Sequence, residues 1–211
     1  MGQQRQHEPP PCRGYREAHL MTSSRDPAYR DSIGSDRAFF SALFARRIPE
    51  VANGAIRVVD AVRDPGLYAK VAVAATVGGI NAASTCIGQR GVRVHEVEAL
   101  IPGERISVVN YDSDPAQYVV NALAVEIESA DVVSTASRDI RVIVSVHNFA
   151  TAIGRDARNV RLASDLTGWR IAICTARCTA RRHIHPRFDS AAGVSVWETS
   201  TLSGRTARSS L

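Results

Sequence analysis

Two stretches of this sequence combine glycines with basic residues at a spacing suited to holding an anion. The first is Cys86-Ile87-Gly88-Gln89-Arg90-Gly91-Val92-Arg93-Val94. A weaker copy, Ala152-Ile153-Gly154-Arg155-Asp156-Ala157-Arg158-Asn159-Val160, lies 66 residues later. Glycines flanking two polar residues let a backbone turn sharply and approach a ligand closely, because no Cβ stands in the way. A helix after such a turn aims its free amide N–H groups at it, which favours an anion. Arg90 or Arg155 inside the turn would complete a cradle for the phosphates of a nucleic acid. Other chemistries are less well supplied. Cys174, Cys178, His183 and His185 follow an irregular C-x3-C-x4-H-x-H spacing, unlike the paired short spacings common in tetrahedral zinc sites. Ser, His and Asp residues are scattered without the constellation that acyl transfer needs. His95 reads as a surface residue of the helix after the first turn, not as a base. We therefore expect no enzyme, no metal and no cofactor.

The two turns must be positioned by regular elements, and the hydrophobic pattern predicts the same order twice. A helix from Arg37 to about Val51 carries Phe39, Phe40, Leu43, Phe44 and Ile48 at helical spacing. Strands over Ile56–Val62 and Tyr68–Thr76 are joined by the turn Asp64-Pro65-Gly66. A short helix, Asn81–Ile87, leads into the first turn. The next helix buries Val94, Val97, Leu100 and Ile101, and a strand follows over Glu104–Tyr111. Asp114-Pro115 starts a helix, with Asp as the cap and Pro at the first helical position. Its inner face is Tyr118, Val119, Ala122 and Leu123. Then come strands over Ala130–Thr135 and Ile140–Val146, a helix from about Asn148, the second turn, a helix with Val160, Ala163 and Leu166, and a strand with Trp169, Ile171 and Ile173. Each half reads strand, strand, helix, turn, helix, strand. Neither half has a Walker phosphate loop or a dinucleotide fingerprint.

Composition adds bounds. In 211 residues no run of about 18 apolar residues occurs, so no membrane span is expected. The N-terminus lacks the apolar stretch of a secretory signal. Four cysteines without a disulfide framework fit a reducing, cytoplasmic setting. The net charge of +5 is uneven: +1 over residues 1–40, zero over 41–174 and +4 over 175–211. Affinity of the folded part for nucleic acid must then arise from local arrangement. Residues 1–40 are expected to be a disordered leader and 175–211 a basic disordered tail, the latter able to attract nucleic acid through counterion release. Arginine supplies 25 of the 26 basic residues, and Lys70 is the only lysine.

Beyond the turns, long stretches resemble the KH region of the bacterial transcription factor family NusA. Leu43-Phe44-Ala45-Arg46-Arg47-Ile48-Pro49-Glu50-Val51 resembles its entry helix, and Cys86–Val94 its first GXXG loop. Asp114-Pro115-Ala116-Gln117-Tyr118-Val119-Val120-Asn121-Ala122-Leu123 resembles its inter-domain helix. Ala152-Ile153-Gly154, Asn159-Val160-Arg161-Leu162-Ala163 and Leu166-Thr167-Gly168-Trp169 resemble its second loop and helix. The likeness covers about residues 41–174.

It implies an α+β fold of two tandem type II KH domains, each a three-stranded sheet with helices on one face, packed as one unit. The first domain, with entry and linker helices, would span 41–124 and the second 125–174. It further implies binding of extended single-stranded RNA through the GXXG loops, in regulation of transcription elongation, termination or antitermination. The RNA-binding residues carried over are Gly88, Gln89, Arg90, Gly91 and Arg93, with Gly154, Arg155, Asp156, Ala157, Arg158 and Arg161. Three departures stand out. Ala157 replaces the family's second-loop glycine; if that position needs φ > 0, Ala is strained by roughly 1–2 kcal/mol. The 40 residues before the first domain do not resemble the family's polymerase-binding and S1 domains, so contact with an RNA polymerase elongation complex is expected to be weak. The tail after Cys174 does not resemble the family. The alternative expectation is a KH-derived protein-interaction module, a truncated paralogue with weakened RNA binding.

Overall fold

The structure, a computed structural model, describes residues 27–176, 187–189 and 194–196. The first helix, α1 (Pro27–Ala45), starts ten residues before the expected Arg37, inside the stretch read as a leader. That early part lacks an apolar stripe, so periodicity did not reveal it. The expected single helix to Val51 is broken as well. Ile48 is extended (φ −120°, ψ 103°) because the ring of Pro49 disfavours the helical conformation before it, and a separate turn, α2 (Pro49–Ala52), follows. Phe40, Leu43, Phe44 and Ile48 are buried as the stripe predicts, while Phe39 is partly exposed beneath the Arg63 guanidinium, 4.9 Å from its ring centre.

The expected duplication is present. Strands β1 (Ile56–Asp64), β2 (Tyr68–Ala75) and β3 (Arg105–Asn110) form one sheet in that order, β1–β2 antiparallel and β2–β3 parallel. Strands β4 (Ser129–Ser134), β5 (Asp139–Val144) and β6 (Arg170–Thr175) repeat it. A parallel pair needs a long crossover. Here it is helix, turn, helix: α3 (Ala82–Ile87) and α4 (Val92–Glu98) between β2 and β3, and α6 (Val146–Ile153) and α7 (Arg158–Thr167) between β5 and β6. Leu100 and Ile101 lie past the end of α4 in two tight turns, yet still pack on the core. Helix α5 (Pro115–Leu123) joins the halves. The Asp114 carboxylate caps it, accepting from the Ala116 and Gln117 amides.

Val146 corrects the expected strand. The alternation of Ile140, Val142 and Val144 is buried, but Val146 is the first residue of α6 and 66% exposed. The Ser145 hydroxyl caps that helix at the Asn148 amide, which ends the strand two residues early. In the stretch read as an unstructured tail, β7 (Arg187–Asp189) pairs antiparallel with β8 (Val194–Val196). Residues 1–26, and in the tail 177–186, 190–193 and 197–211 with Cys178, His183 and His185, lie outside the described residues.

Two cores hold the described residues together. The first lies between one face of the β1–β3 sheet and α1, α3 and α4. The second joins the halves: Val62, Ala72 and Val109 on the other face of that sheet pack with α5 and α7 and with Ile140, Val142 and Val144 of β5. The first sheet is therefore covered on both faces, and α7 is shared between the sheets. Burying such a face removes roughly 25 cal/mol of apolar hydration cost per Å², which makes a fixed relation between the halves the expected state. No helix among the described residues is long and apolar enough to cross a membrane.

Candidate nucleic-acid interface

Both glycine turns sit between consecutive helices of a crossover and follow the same backbone path. Gly88 (φ 73°, ψ 172°) and Gly154 (φ 76°, ψ 169°) occupy a region essentially restricted to glycine. One 3-10 turn then closes through Gly91 N to Gly88 O (3.1 Å) and Ala157 N to Gly154 O (3.2 Å). The third positions, Arg90 (φ 56°) and Asp156 (φ 54°), are left-handed, and so are the fourth, Gly91 (φ 79°, ψ 10°) and Ala157 (φ 55°, ψ 19°). The second loop therefore does hold an alanine at positive φ. Asp tolerates that region better than Arg does, so each loop carries its less suited residue at a different place: Arg90 in one, Ala157 in the other.

The loops are open for contact. Gln89, Arg90, Arg155 and Asp156 are exposed. Among the described residues, Arg90 and Arg155 have no ion pair. No side chain caps the helices that start after Gly91 and Ala157, leaving first-turn amide N–H groups at both loops. Gly88 and Gly91 are also places of close approach. A Cβ on Gly88 would lie 2.8 Å from the Arg93 side chain, and one on Gly91 3.1 Å from the His95 ring. On Gly154 it would meet Asn159 at 2.7 Å from Cβ and 2.9 Å from the backbone nitrogen.

The remaining expected site residues, partly exposed, are engaged by partners within the protein. Arg93 donates to the Glu50 carboxylate (2.9 Å) and to the Thr85 carbonyl (3.2 Å). Asn159, at the equivalent place five residues after the first loop glycine, donates to the carbonyls of Leu123 (3.0 Å), Thr151 (3.4 Å) and Ala152 (3.0 Å). Both side chains clasp the carbonyls of the helix that enters the loop, so both brace the turn. Arg158 and Arg161 meet the Asp64 carboxylate, at 3.2 and 2.8 Å. The structure thus brings Gly88–Gly91 and Gly154–Ala157 to open loops, while Arg93, Arg158 and Arg161 are engaged within the protein.

Three groups escaped the sequence reading. Asp64 read as a turn residue, and Asn159 carries no charge to mark it. Lys70 is fully buried, and its Nζ donates to the Ala122 carbonyl (2.6 Å) near the C-terminus of α5. Burial pushes its ammonium down to about 8. A signal existed for Lys70: a lone lysine among arginines, in an otherwise apolar strand. Cys86, beneath the first loop, is buried and its thiol is pushed up to about 12, chiefly by that burial, which makes it a poor nucleophile. Among the described residues no group of three His, Cys, Asp or Glu side chains is placed to hold a metal.

Comparison with known proteins agrees with this architecture. Residues 35–111 match the family model of the NusA-like first KH domain, and residues 115–180 that of the NusA-like second KH domain. Over 132 residues the chain is 42% identical to the transcription termination/antitermination protein NusA of Mycobacterium bovis and of two strains of Mycobacterium tuberculosis. The match covers 62% of this chain and 38% of each relative, so the chain spans well under half of their length. The crystal structure of APE1850 is 21% identical with a TM-score of 0.50, covering 67% of this chain and 98% of that one, a likeness of fold alone.

Proposed function

Because the chain belongs to the NusA-like tandem KH family, we propose that it binds extended single-stranded RNA across both turns and acts in regulating transcription elongation, termination or antitermination. The observation that carries this reading is the shared path of the two loops: glycine at the entry, two left-handed residues, an uncapped helix start and an arginine with no ion pair among the described residues. A KH loop of this kind holds about four backbone nucleotides. Gly88, Gln89, Arg90 and Gly91 form the principal cradle, and Gly154, Arg155, Asp156 and Ala157 the second. Arg93, Arg158 and Arg161 support the cradles from behind. In domain terms we assign 41–124 to the first unit and 125–174 to the second, with α5 packed into the core that joins them.

The second loop is the weaker of the two. The methyl group of Ala157 stands where glycine would allow closer approach, and Asp156 opposes Arg155. This favours, as a second reading, a KH-derived module in which one loop has turned from RNA towards protein contacts. Replacing Gln89 and Arg90 together by Asp separates the readings. Neutralising phosphate charge drives much of nucleic-acid affinity, so the double variant should lose most of its affinity for an unstructured single-stranded RNA while its circular-dichroism spectrum stays that of the wild type. Undiminished RNA binding would remove the first loop from the mechanism. Absence of RNA binding by the wild type would favour the protein-interaction module.

A further inference from the structure

We infer that Asp64 is a positioning residue for RNA: it ties the second loop to the first KH unit and so sets the spacing of the two phosphate cradles. This rests on the RNA reading above. Asp64 ends β1 and lies in the hairpin turn of the first unit, where its carbonyl accepts from the Leu67 amide (3.0 Å). Its Oδ2 accepts from Arg158 Nε at 3.2 Å and Arg161 Nη2 at 2.8 Å. Arg158 is the first residue of α7 and follows Ala157 directly. Arg161 is one turn further along the same helix face. One carboxylate of the first unit therefore grips the exit of the second loop.

The entry of that loop is held separately. Asn159 bonds to the Ala152 carbonyl before Gly154 and to the Leu123 carbonyl at the end of α5. The brace of the first loop stays inside its own unit, since Arg93 pairs with Glu50. The side chains of Asp64, Arg158 and Arg161 are 19%, 27% and 29% exposed, so the cluster is only partly screened by solvent. It also serves α7 itself. A cation in the first turn of a helix is disfavoured by the macrodipole, and the Asp64 carboxylate offsets Arg158 there.

An RNA that reaches both loops gains from their fixed separation through effective concentration, which falls when the sites wander relative to each other. Removing the Asp64 carboxylate has two opposed effects. It frees two arginines beside the second loop, raising the affinity of any phosphate chain. It also loosens the spacing, lowering the advantage of an RNA long enough to cross both loops. A residue that merely added negative charge would show the first effect alone, and one that merely supported the fold would weaken all RNA binding together.

The test uses the full chain as wild type, Asp64→Ala and Asp64→Glu, with two unstructured RNAs of about five and about twelve nucleotides, chosen to fill one loop or cross both at about four nucleotides per loop. For Asp64→Ala the short RNA should bind as well as to the wild type or up to about threefold tighter, and the long RNA about three- to tenfold more weakly. Asp64→Glu keeps the charge at a slightly longer reach and should recover much of the long-RNA preference. Asp64→Asn, which keeps the shape and loses the charge, takes the place of the alanine variant if that fails to fold, with the same direction of change expected in the ratio. An unchanged ratio of long- to short-RNA affinity in the variant that lacks the charge would overturn the positioning role and leave the RNA reading standing. A parallel loss for both RNAs would overturn it too. A wild type that binds neither RNA would overturn the RNA reading, and this inference with it.

Discussion

Ala157→Gly should stabilise the protein, which is unusual for a change to glycine inside a folded domain. Ala157 has φ 55° and ψ 19°. A left-handed L-residue is strained by roughly 1–2 kcal/mol because its Cβ crowds the following carbonyl. Glycine has no such strain but gives the unfolded chain more freedom, which costs about 0.4–1 kcal/mol. The net expectation is a gain of about 0.5–1 kcal/mol, or roughly 1–4 °C in Tm for a chain of this size. Gly91 provides the reverse experiment in the first loop. It has the same conformation (φ 79°, ψ 10°), and an added Cβ would lie 3.1 Å from the ring of the exposed His95, which can swing aside. Gly91→Ala should then destabilise by a similar amount and little more.

Thermal and denaturant unfolding of the two variants measure the stability effect, and titration with single-stranded RNA measures the functional one. The strain is common to the free and the RNA-bound protein and cancels in binding, so any change in affinity comes from the missing methyl group. Its removal should let a phosphate approach more closely and tighten RNA binding by at most about fivefold, the equivalent of about 1 kcal/mol. A destabilising Ala157→Gly would refute the reasoning, because it would mean that position 157 is not held left-handed in solution. An unchanged affinity would mean that the Ala157 methyl group does not stand in the way of the RNA. A greater loss from reversing the charge of Arg155 than of Arg90 would make the second loop the principal reader.

Gly154→Ala should behave quite differently from Gly91→Ala. Its conformation (φ 76°, ψ 169°) is closed to alanine, and the new Cβ would meet the Asn159 backbone nitrogen at 2.9 Å, so a loss of about 3 kcal/mol or more by denaturant unfolding is expected. Lys70→Met tests the buried ammonium. The folded-state pKa is depressed to about 8, so between about pH 8 and 10.5 the unfolded chain binds more protons and wild-type stability gains from this group as pH rises, whereas below pH 8 the burial cost is fully present. Cys86 and Tyr118, both raised by burial, act in the opposite direction at alkaline pH, but they cancel when variant and wild type are compared. The stability of Lys70→Met relative to wild type should thus be greatest near pH 7 and decline by on the order of 2–3 kcal/mol towards pH 10.5. A flat difference across that range would show that Lys70 is hydrated.

Periodicity made the fold legible where a face is buried once and continuously. Val71 and Val73 in β2, Ile140 to Val144 in β5, and Tyr118 to Leu123 in α5 are buried as their spacing requires. It failed where a local stereochemical effect cut across the pattern. Pro49 broke a helix whose apolar stripe runs on through Ile48, and the Ser145 cap turned Val146 from a strand residue into an exposed helix start. The glycine loops were legible because their backbone conformation depends on few residues. The ties behind them were not. Asp64 and Arg161 are 97 residues apart, and nothing local to either distinguishes a carboxylate in a turn from one that grips two arginines.

That difference bears on how such loops should be read. Arg93 and Asn159 stand at the same place after their loop glycine and do the same work, clasping carbonyls of the incoming helix. One is charged and the other neutral, so charge is not what the position requires; reach to the Thr85 or Thr151 carbonyl is. Arg90 and Arg155 also stand at neighbouring loop positions and are basic, yet they face solvent. A basic residue near a phosphate loop thus falls into one of two roles according to whether a carboxylate or carbonyl lies within its reach. By that criterion we propose that Arg93, Arg158 and Arg161 shape the loops and that Arg90 and Arg155 meet the phosphates. Removing a shaping arginine should change where RNA sits and how lengths are distinguished. Removing a touching one should lower the salt dependence of affinity by about 0.7 in slope for each phosphate no longer neutralised, as expected for a single strand.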